Sequence, residues 1–404
     1  MNLLFLSHRM PFPPNKGDKI RSHALLRHLA GRHTVHLGCF VDDENDKQYA
    51  DTVRGLAGGE CMLLPLNRQQ KLLRSLRALV NGASITAEVY RCEKMQKWVN
   101  RIIAEAKIDC AVVFSSSMAP YLLQNPVFSP RRGLFDMVDL DSDKWLQYSK
   151  TAAFPLSWVY AREAEKLLRL ERQAAERFAL TYLVSEFEAD SFARLAPESR
   201  NRIRALSNGV DLDYFAPGDF RSPFPADVTP IVMSGRMDYW PNVDGAVWFA
   251  SNVLPAIKSR IPNAKFYVVG AEPAPSLRNI ARDDVEIVGE VKDIRPYIAA
   301  ARVVVAPLRI ARGVQNKVLE ALAMSVPTVA TYEASRALSV TNGKDIRIAN
   351  DAGDFAEAVI AAASAADRTL LAANGRSYVT ENHNWTRLFS ALDHDLQNLS
   401  RQQG

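Results

Sequence analysis

The sequence contains no uninterrupted run of about twenty apolar residues, so no segment of it reads as a helix able to cross a bilayer. The opening NLLFLS meets His8 and Arg9 too early to form the apolar stretch of a secretory leader, and the chain is expected to stay in the cytoplasm. Its four cysteines, Cys39, Cys61, Cys92 and Cys110, form no C-x-x-C pair and have no histidine at metal-ligand spacing. They read as reduced thiols rather than a disulfide framework or a zinc site. No G-x-G-x-x-G follows a strand pattern and no P-loop lysine motif occurs, which counts against a dehydrogenase. Basic and aromatic residues are not interleaved along any surface pattern, so nucleic acid is not an expected partner. Solenoid-length repeats and low-complexity tracts are missing as well.

What is present is a chain of 404 residues with 48% hydrophobic and 24% charged composition, enough for one or two full cores. The net charge of +5 is modest but uneven. Arg68, Lys71, Arg74 and Arg77 fall in one short segment, with Arg91, Lys94, Lys97 and Arg101 soon after. In RQQKLLRSLRALV, residues 68–80, Leu72, Leu73, Leu76, Leu79 and Val80 share one helical face with the basic residues largely opposite. Such a helix suits a membrane interface, or else packs on its own domain as an ordinary surface helix.

Short β-rich runs alternate with helical stretches from the first residues onward. NLLFLS, TVHLGCFV, ECMLLPL, CAVVFSS, GLFDMV and LTYLVS give a βαβ rhythm and therefore an α/β fold with a parallel sheet. The aperiodic YFAPGDFRSPFPADVTP separates this half from a second one, in which PIVMSG, AKFYVVG, VEIVG, RVVVAPL and PTVAT repeat the rhythm. The expected organisation is a Rossmann-like domain over 1–218, a second over 219–384, and a C-terminal helix over 385–404 crossing back to the first. Open sheets of this kind bind ligands beyond the carboxyl ends of their strands.

In APLRIARGVQNKVLEALAM a buried strand ends at Pro307, a polar loop with Gly313 follows, and a helix opens near Asn316 carrying Lys317 and Glu320. A glycine loop, a helix N-terminus and a lysine together suit a phosphate. Glu320, one turn later on the same face, can accept hydrogen bonds from ribose hydroxyls, although by itself the spacing is more simply explained by a surface ion pair with Lys317. In the first half Gly17 sits in the polar loop after the first strand, where backbone amides can approach a phosphate or hydroxyl, or where it simply makes a turn. Asp139, Asp141 and Asp143 follow the strand GLFDMV. A calcium loop would need glycine and glutamate where Lys144 and Lys150 stand, so no metal site is expected. Asp139 and Asp141 are candidates to orient an acceptor or act as general base, with capping of the next helix as the plain alternative.

The KGDKIRS loop after Pro13, LVSEFEADSF with LSNGVDLDYFAP, VMSGRMDYWPN and the string VLEALAMSVPTVAT resemble, in order, the motifs of glycosyltransferase family 4. That resemblance implies a GT-B fold of two Rossmann-like domains facing across a cleft, and a metal-free, retaining transfer with no cofactor beyond a UDP- or GDP-linked sugar donor. DMVDLDSDKW and RGVQNKVLEALAM further resemble the subgroup of sugar transferases tied to bacterial exopolysaccharide gene clusters, which implies a glycan or lipid-linked acceptor and contact with the inner membrane face through 68–80. By the same resemblance Arg236, after Gly235, binds the diphosphate, and Lys317 replaces a lysine usually found shortly after that arginine. Glu320 matches the second of the family's two glutamates, whereas Arg312 stands where the first would be. A nucleotide-sugar epimerase and a catalytically degenerate scaffold are the competing readings, the latter prompted by Arg312 and the missing lysine.

Overall fold

The computed structural model describes residues 1–401, which fold as two compact units. One comprises Met1–Leu206 together with the chain from Phe389 onward, the other Ser207–Leu388.

The first unit is built on a seven-stranded sheet of β1 (Asn2–Ser7), β2 (Thr34–Val41), β3 (Gly58–Pro65), β4 (Cys110–Phe114), β5 (Gly133–Val138), β6 (Leu180–Leu183) and β7 (Ile203–Ala205). Its order is β3-β2-β1-β4-β5-β6-β7, with every neighbouring pair parallel. Runs such as LLFL and CAVVF are apolar without alternation because helices cover both faces of the sheet. Leu4, Phe135, Phe178 and Phe192 pack in the resulting core. Inside it Arg21, from the helix Gly17–Ala30, forks onto Asp136 at 2.8 and 2.9 Å and donates to the Leu206 carbonyl at 2.7 Å. This fully desolvated pair fixes the first helix against β5 and the end of β7.

The second unit carries a six-stranded sheet of β8 (Thr229–Ser234), β9 (Ala264–Val269), β10 (Val285–Gly289), β11 (Val303–Ala306), β12 (Thr328–Ala330) and β13 (Arg347–Ile348). Its order is β10-β9-β8-β11-β12-β13, again parallel throughout. Each sheet reverses its winding once, between β1 and β4 and between β8 and β11, and the carboxyl ends of those strands are the topological switch points where such sheets receive ligands.

The division between the units falls after Leu206, not near Asp219. The aperiodic segment is held by the second unit: Val210 N–H donates to the His383 carbonyl at 2.8 Å, Arg376 reaches the carbonyls of Leu212 and Phe215, and Phe215 and Phe220 pack on that unit's core. At the other end the helix Trp385–Arg401 changes allegiance inside itself, at Phe389 rather than at 385. Phe389, Leu392 and Leu396 are buried, His28 Nε2 lies 2.8 Å from Asp393 Oδ1, and Tyr182 donates to Asp395, so this stretch is an integral part of the first unit.

Candidate functional site

At the carboxyl end of β8 the chain turns through Gly235, whose φ of 143° lies in the region that favours glycine. A Cβ there would stand 2.9 Å from Asn242 Nδ2 and 3.0 Å from Lys317 Nζ. The lysine arrives from the first turn of the helix Asn316–Ala323, which follows β11 through a loop where Gly313 is left-handed at φ 58°. Only 8% of Lys317 is exposed, and its ammonium donates to a neutral acceptor, Asn242 Oδ1, at 2.5 Å. No carboxylate among the described residues comes within salt-bridge distance of it. Burial without a counter-charge pushes the Lys317 ammonium down to about 8, Glu320 opposing the shift only in part. The same burial pushes the half-buried Glu320 carboxyl up to about 7 against the pull of Lys317. The helix therefore presents a cation and a carboxyl that the protein solvates poorly, which is the arrangement a charged ligand would relieve.

The structure places the other expected residues less uniformly. The Arg236 backbone belongs to the cluster, since Asn242 Nδ2 donates to its carbonyl at 2.7 Å. Its guanidinium is paired with Asp238 at 2.8 and 3.0 Å and with Glu272 at 2.7 Å. Arg312 and Gly313 offer their carbonyls to Gln315 Nε2, at 2.7 and 3.5 Å, which ties down the loop before the helix.

Sequence reasoning missed Asn242 and Glu272. Asn242 joins β8's end to Lys317 across 75 positions, and only the Pro-Asn opening of the helix Trp240–Trp248 hinted at it. A second missed feature secures the SNGVD turn. The Asn208 carbonyl can only accept, so His383 Nδ1–H donates to it at 2.7 Å; burial keeps the ring neutral, and its Nε2 accepts from the Tyr378 hydroxyl at 3.0 Å, whose oxygen accepts from Ser339 N–H at 3.1 Å. Asn208 Nδ2 in turn lies 3.4 Å from Asn316 Oδ1, at the start of the lysine's helix.

In the first unit Gly17 is not in a loop. It is the first residue of the helix Gly17–Ala30, and Asp18 beside it pairs with His8 at 3.2 Å and Arg9 at 2.8 Å. Asp141 opens the helix Asp141–Thr151 and pairs with Lys144 three residues on at 3.2 Å, the ordinary role of a first-turn carboxylate. Asp139 differs. It follows Val138, a β-branched residue at φ 69°, and its Oδ1 is buried without a hydrogen-bond partner. Burial, reinforced by Glu188 and Asp141, pushes its carboxyl up to about 7. A carboxyl raised in the folded state favours the fold at low pH and loses that contribution as pH rises toward 7. Asp139→Asn should therefore gain on the wild type between about pH 4 and pH 7, read as urea midpoints across pH; parallel profiles would refute the assignment.

Two parallel α/β units of this kind constitute the GT-B fold of glycosyltransferases. Among solved structures, sucrose-phosphate synthase from Thermosynechococcus elongatus is 19% identical, covering 98% of each chain with a TM-score of 0.73. HepE of Anabaena, solved in complex with UDP and glucose, is 14% identical over 98% of this chain and 100% of that one, with a TM-score of 0.68. WaaG, a glycosyltransferase involved in lipopolysaccharide biosynthesis, is 15% identical over 97% and 98%, also at 0.68. Residues 229–365, which hold Gly235, Asn242, Lys317 and Glu320, match the family model described as glycosyl transferases group 1. No curated protein matches the chain.

Proposed function

We propose that this protein is a glycosyltransferase that takes a hexose from a nucleotide-diphosphate sugar and transfers it, with retention, to a glycan or lipid-linked acceptor in exopolysaccharide assembly. The observation that carries the reading is Lys317, a buried ammonium with a neutral partner in the segment that matches the group 1 model. Lys317 stabilises the negative charge that builds on the diphosphate as the bond from its oxygen to the sugar breaks. Glu320, as carboxylate, accepts from the ribose hydroxyls, and Gly235 lets the backbone approach the phosphates. Arg236 adds to the diphosphate site by leaving Asp238 or Glu272. Asp139 takes the acceptor's hydroxyl as its hydrogen-bond donor. UDP is the preferred nucleotide among UDP and GDP, because HepE of this fold was solved with UDP. The subgroup resemblance adds a position on the inner face of the membrane, with 68–80 as the contact.

Calorimetric titration with UDP, GDP and ADP tests this directly. One nucleotide should bind at micromolar level, about tenfold more weakly to Glu320→Gln, since a charge-assisted bond is worth roughly 1.5–3 kcal/mol before the remaining amide oxygen is counted. Affinity should peak between the Glu320 and Lys317 values of about 7 and about 8, where the carboxylate is ionised and the ammonium still charged. A folded protein that binds none of the three contradicts the proposal.

A further inference from the structure

The helix Arg68–Asn81 is mounted the wrong way round for a surface helix. Leu72, Leu73, Leu76 and Val80 fall within an arc of roughly 100° at the α-helical turn. They are 62%, 66%, 52% and 90% exposed, and Ala78 on the opposite side is the helix's one buried residue. What holds the helix to its unit is polar. Asn67 and Gln70 close a capping box, Lys71 Nζ reaches Asp42 Oδ2 at 2.8 Å, and Arg74 donates to the Val89 carbonyl at 2.7 Å. Arg162 donates to the Ala78 carbonyl at 2.9 Å. An amphipathic helix of a self-sufficient domain buries its leucines and exposes its lysines; this one does the reverse.

A second exposed apolar group lies at the start of the helix that holds it. Phe154, Leu156 and Trp158, at the corner between the helices Asp141–Thr151 and Leu156–Arg177, are 83%, 53% and 58% exposed. Trp158 precedes Arg162 by one helical turn, and the Arg162–Ala78 hydrogen bond holds its helix against Arg68–Asn81.

We propose that this compound surface, the leucine face of Arg68–Asn81 with the Phe154–Trp158 corner, is where the protein lies on an anionic lipid bilayer. Charge selects that occupant over a second copy of the chain. Lys71 and Arg74 turn inward, but exposed Arg68 and Arg77 flank the leucine arc, Arg77 shares the buried Glu88 with exposed Arg91, and exposed Lys150 lies just before Phe154. Two copies meeting face to face would bring these cations together, whereas anionic headgroups neutralise them. The sizes fit a shallow seat: no helix among the described residues is long and apolar enough to cross a membrane, and an aromatic corner beside an aliphatic stripe is the composition of an interfacial contact. The inference deepens the contact proposed for 68–80, and nucleotide titration of the same proteins in solution tests the donor site separately.

Sedimentation with vesicles of phosphatidylcholine, with and without phosphatidylglycerol, is the test. The wild type should sediment with the anionic vesicles and be released by salt. The Leu72→Ser/Leu76→Ser double variant should bind roughly tenfold less and Trp158→Ser severalfold less, since each loses apolar area from the interface. Leu370→Ser, an equally exposed leucine of the second unit at 58%, should bind as the wild type does. Circular dichroism and unchanged nucleotide affinity confirm that the variants fold. Equal binding by wild type and double variant overturns the proposal. So does absence of vesicle binding together with a dimer, seen by light scattering, that the double variant dissociates.

Discussion

Replacing Lys317 by methionine is expected to weaken nucleoside diphosphate binding by roughly 100-fold or more while making the empty protein more stable. The first effect follows from the value of a buried, charge-assisted contact to phosphate, roughly 3 kcal/mol at the upper end. The second follows from what the ammonium endures without a ligand. Burial lowers it from its usual value to about 8, so at neutral pH the fold carries a penalty of about 3 kcal/mol to keep the proton on. Methionine fills nearly the same volume and has no charge to desolvate. The loss is confined to Asn242 Oδ1, because Asn242 Nδ2 keeps the Arg236 carbonyl at 2.7 Å.

The sign also appears against pH. A lysine depressed in the folded state releases its proton before the unfolded chain does, so wild-type stability should climb as pH rises from about 8 toward the ordinary lysine value. Lys317→Met should lack that climb. Differential scanning calorimetry over this range, paired with titration of the same samples, reads both effects. A variant that is less stable and still binds would mean that the ammonium serves the fold rather than a ligand.

Much of this architecture was legible in the sequence because buried parallel strands write themselves as unbroken apolar runs. CAVVF and VVVA are strands in the structure with every residue buried. The GT-B fold followed from the doubled rhythm and the motifs. The division of the chain was not legible at that precision. The Pro- and Phe-rich segment carries no period, and what binds it to the second unit is made by His383 and Arg376, more than 160 positions away. The amphipathic period of 68–80 was equally plain, but a period says only that two faces differ. Which face turns outward was decided by Asp42, Val89 and Arg162, none of them in the helix.

The candidate site divides the same way. Gly235, Lys317 and Glu320 stood out because a glycine at a strand end and a lysine in a first helical turn are local signals. Asn242 had only its place in a Pro-Asn helix opening, since its meaning depends on a partner 75 positions on. The pairing of the Arg236 side chain was hidden for the converse reason: Glu272, at φ 55° in the turn after β9, brings a carboxylate that no spacing announces. Asp139 and Asp141 looked equivalent as alternating acids. Helix geometry separates them, giving Asp141 a lysine and leaving Asp139 after a strained valine with an oxygen unpaired.

The same strand ends predict the most damaging small substitution in the second unit, Gly270→Ala. β8 and β9 finish side by side, with Gly235 N–H donating to the Val269 carbonyl at 3.1 Å and Gly270 N–H to the Gly289 carbonyl at 2.8 Å. A Cβ on Gly270 would stand 1.6 Å from the Gly235 carbonyl oxygen and 2.8 Å from its carbon, and both atoms are backbone that no rotamer can move aside. Relief requires the ends of β8 and β9 to part, which breaks the Gly235–Val269 bond and disturbs the Gly235 turn against which Asn242 and Lys317 pack. The expected cost is about 4 kcal/mol or more, the range reserved for substitutions that force the main chain apart. Gly343→Ala is the matched control. Gly343 is left-handed at φ 78° but a Cβ would meet nothing within 4 Å, so only the backbone preference of roughly 1–2 kcal/mol is lost. Chemical unfolding followed by proteolysis should show the second unit of Gly270→Ala opening at denaturant levels that leave the first unit intact, with nucleotide binding lost and Gly343→Ala close to wild type. Similar midpoints for the two alanine variants would mean that β8 and β9 can separate freely at their ends, and the rigidity assigned to the Gly235 turn would fall with that result.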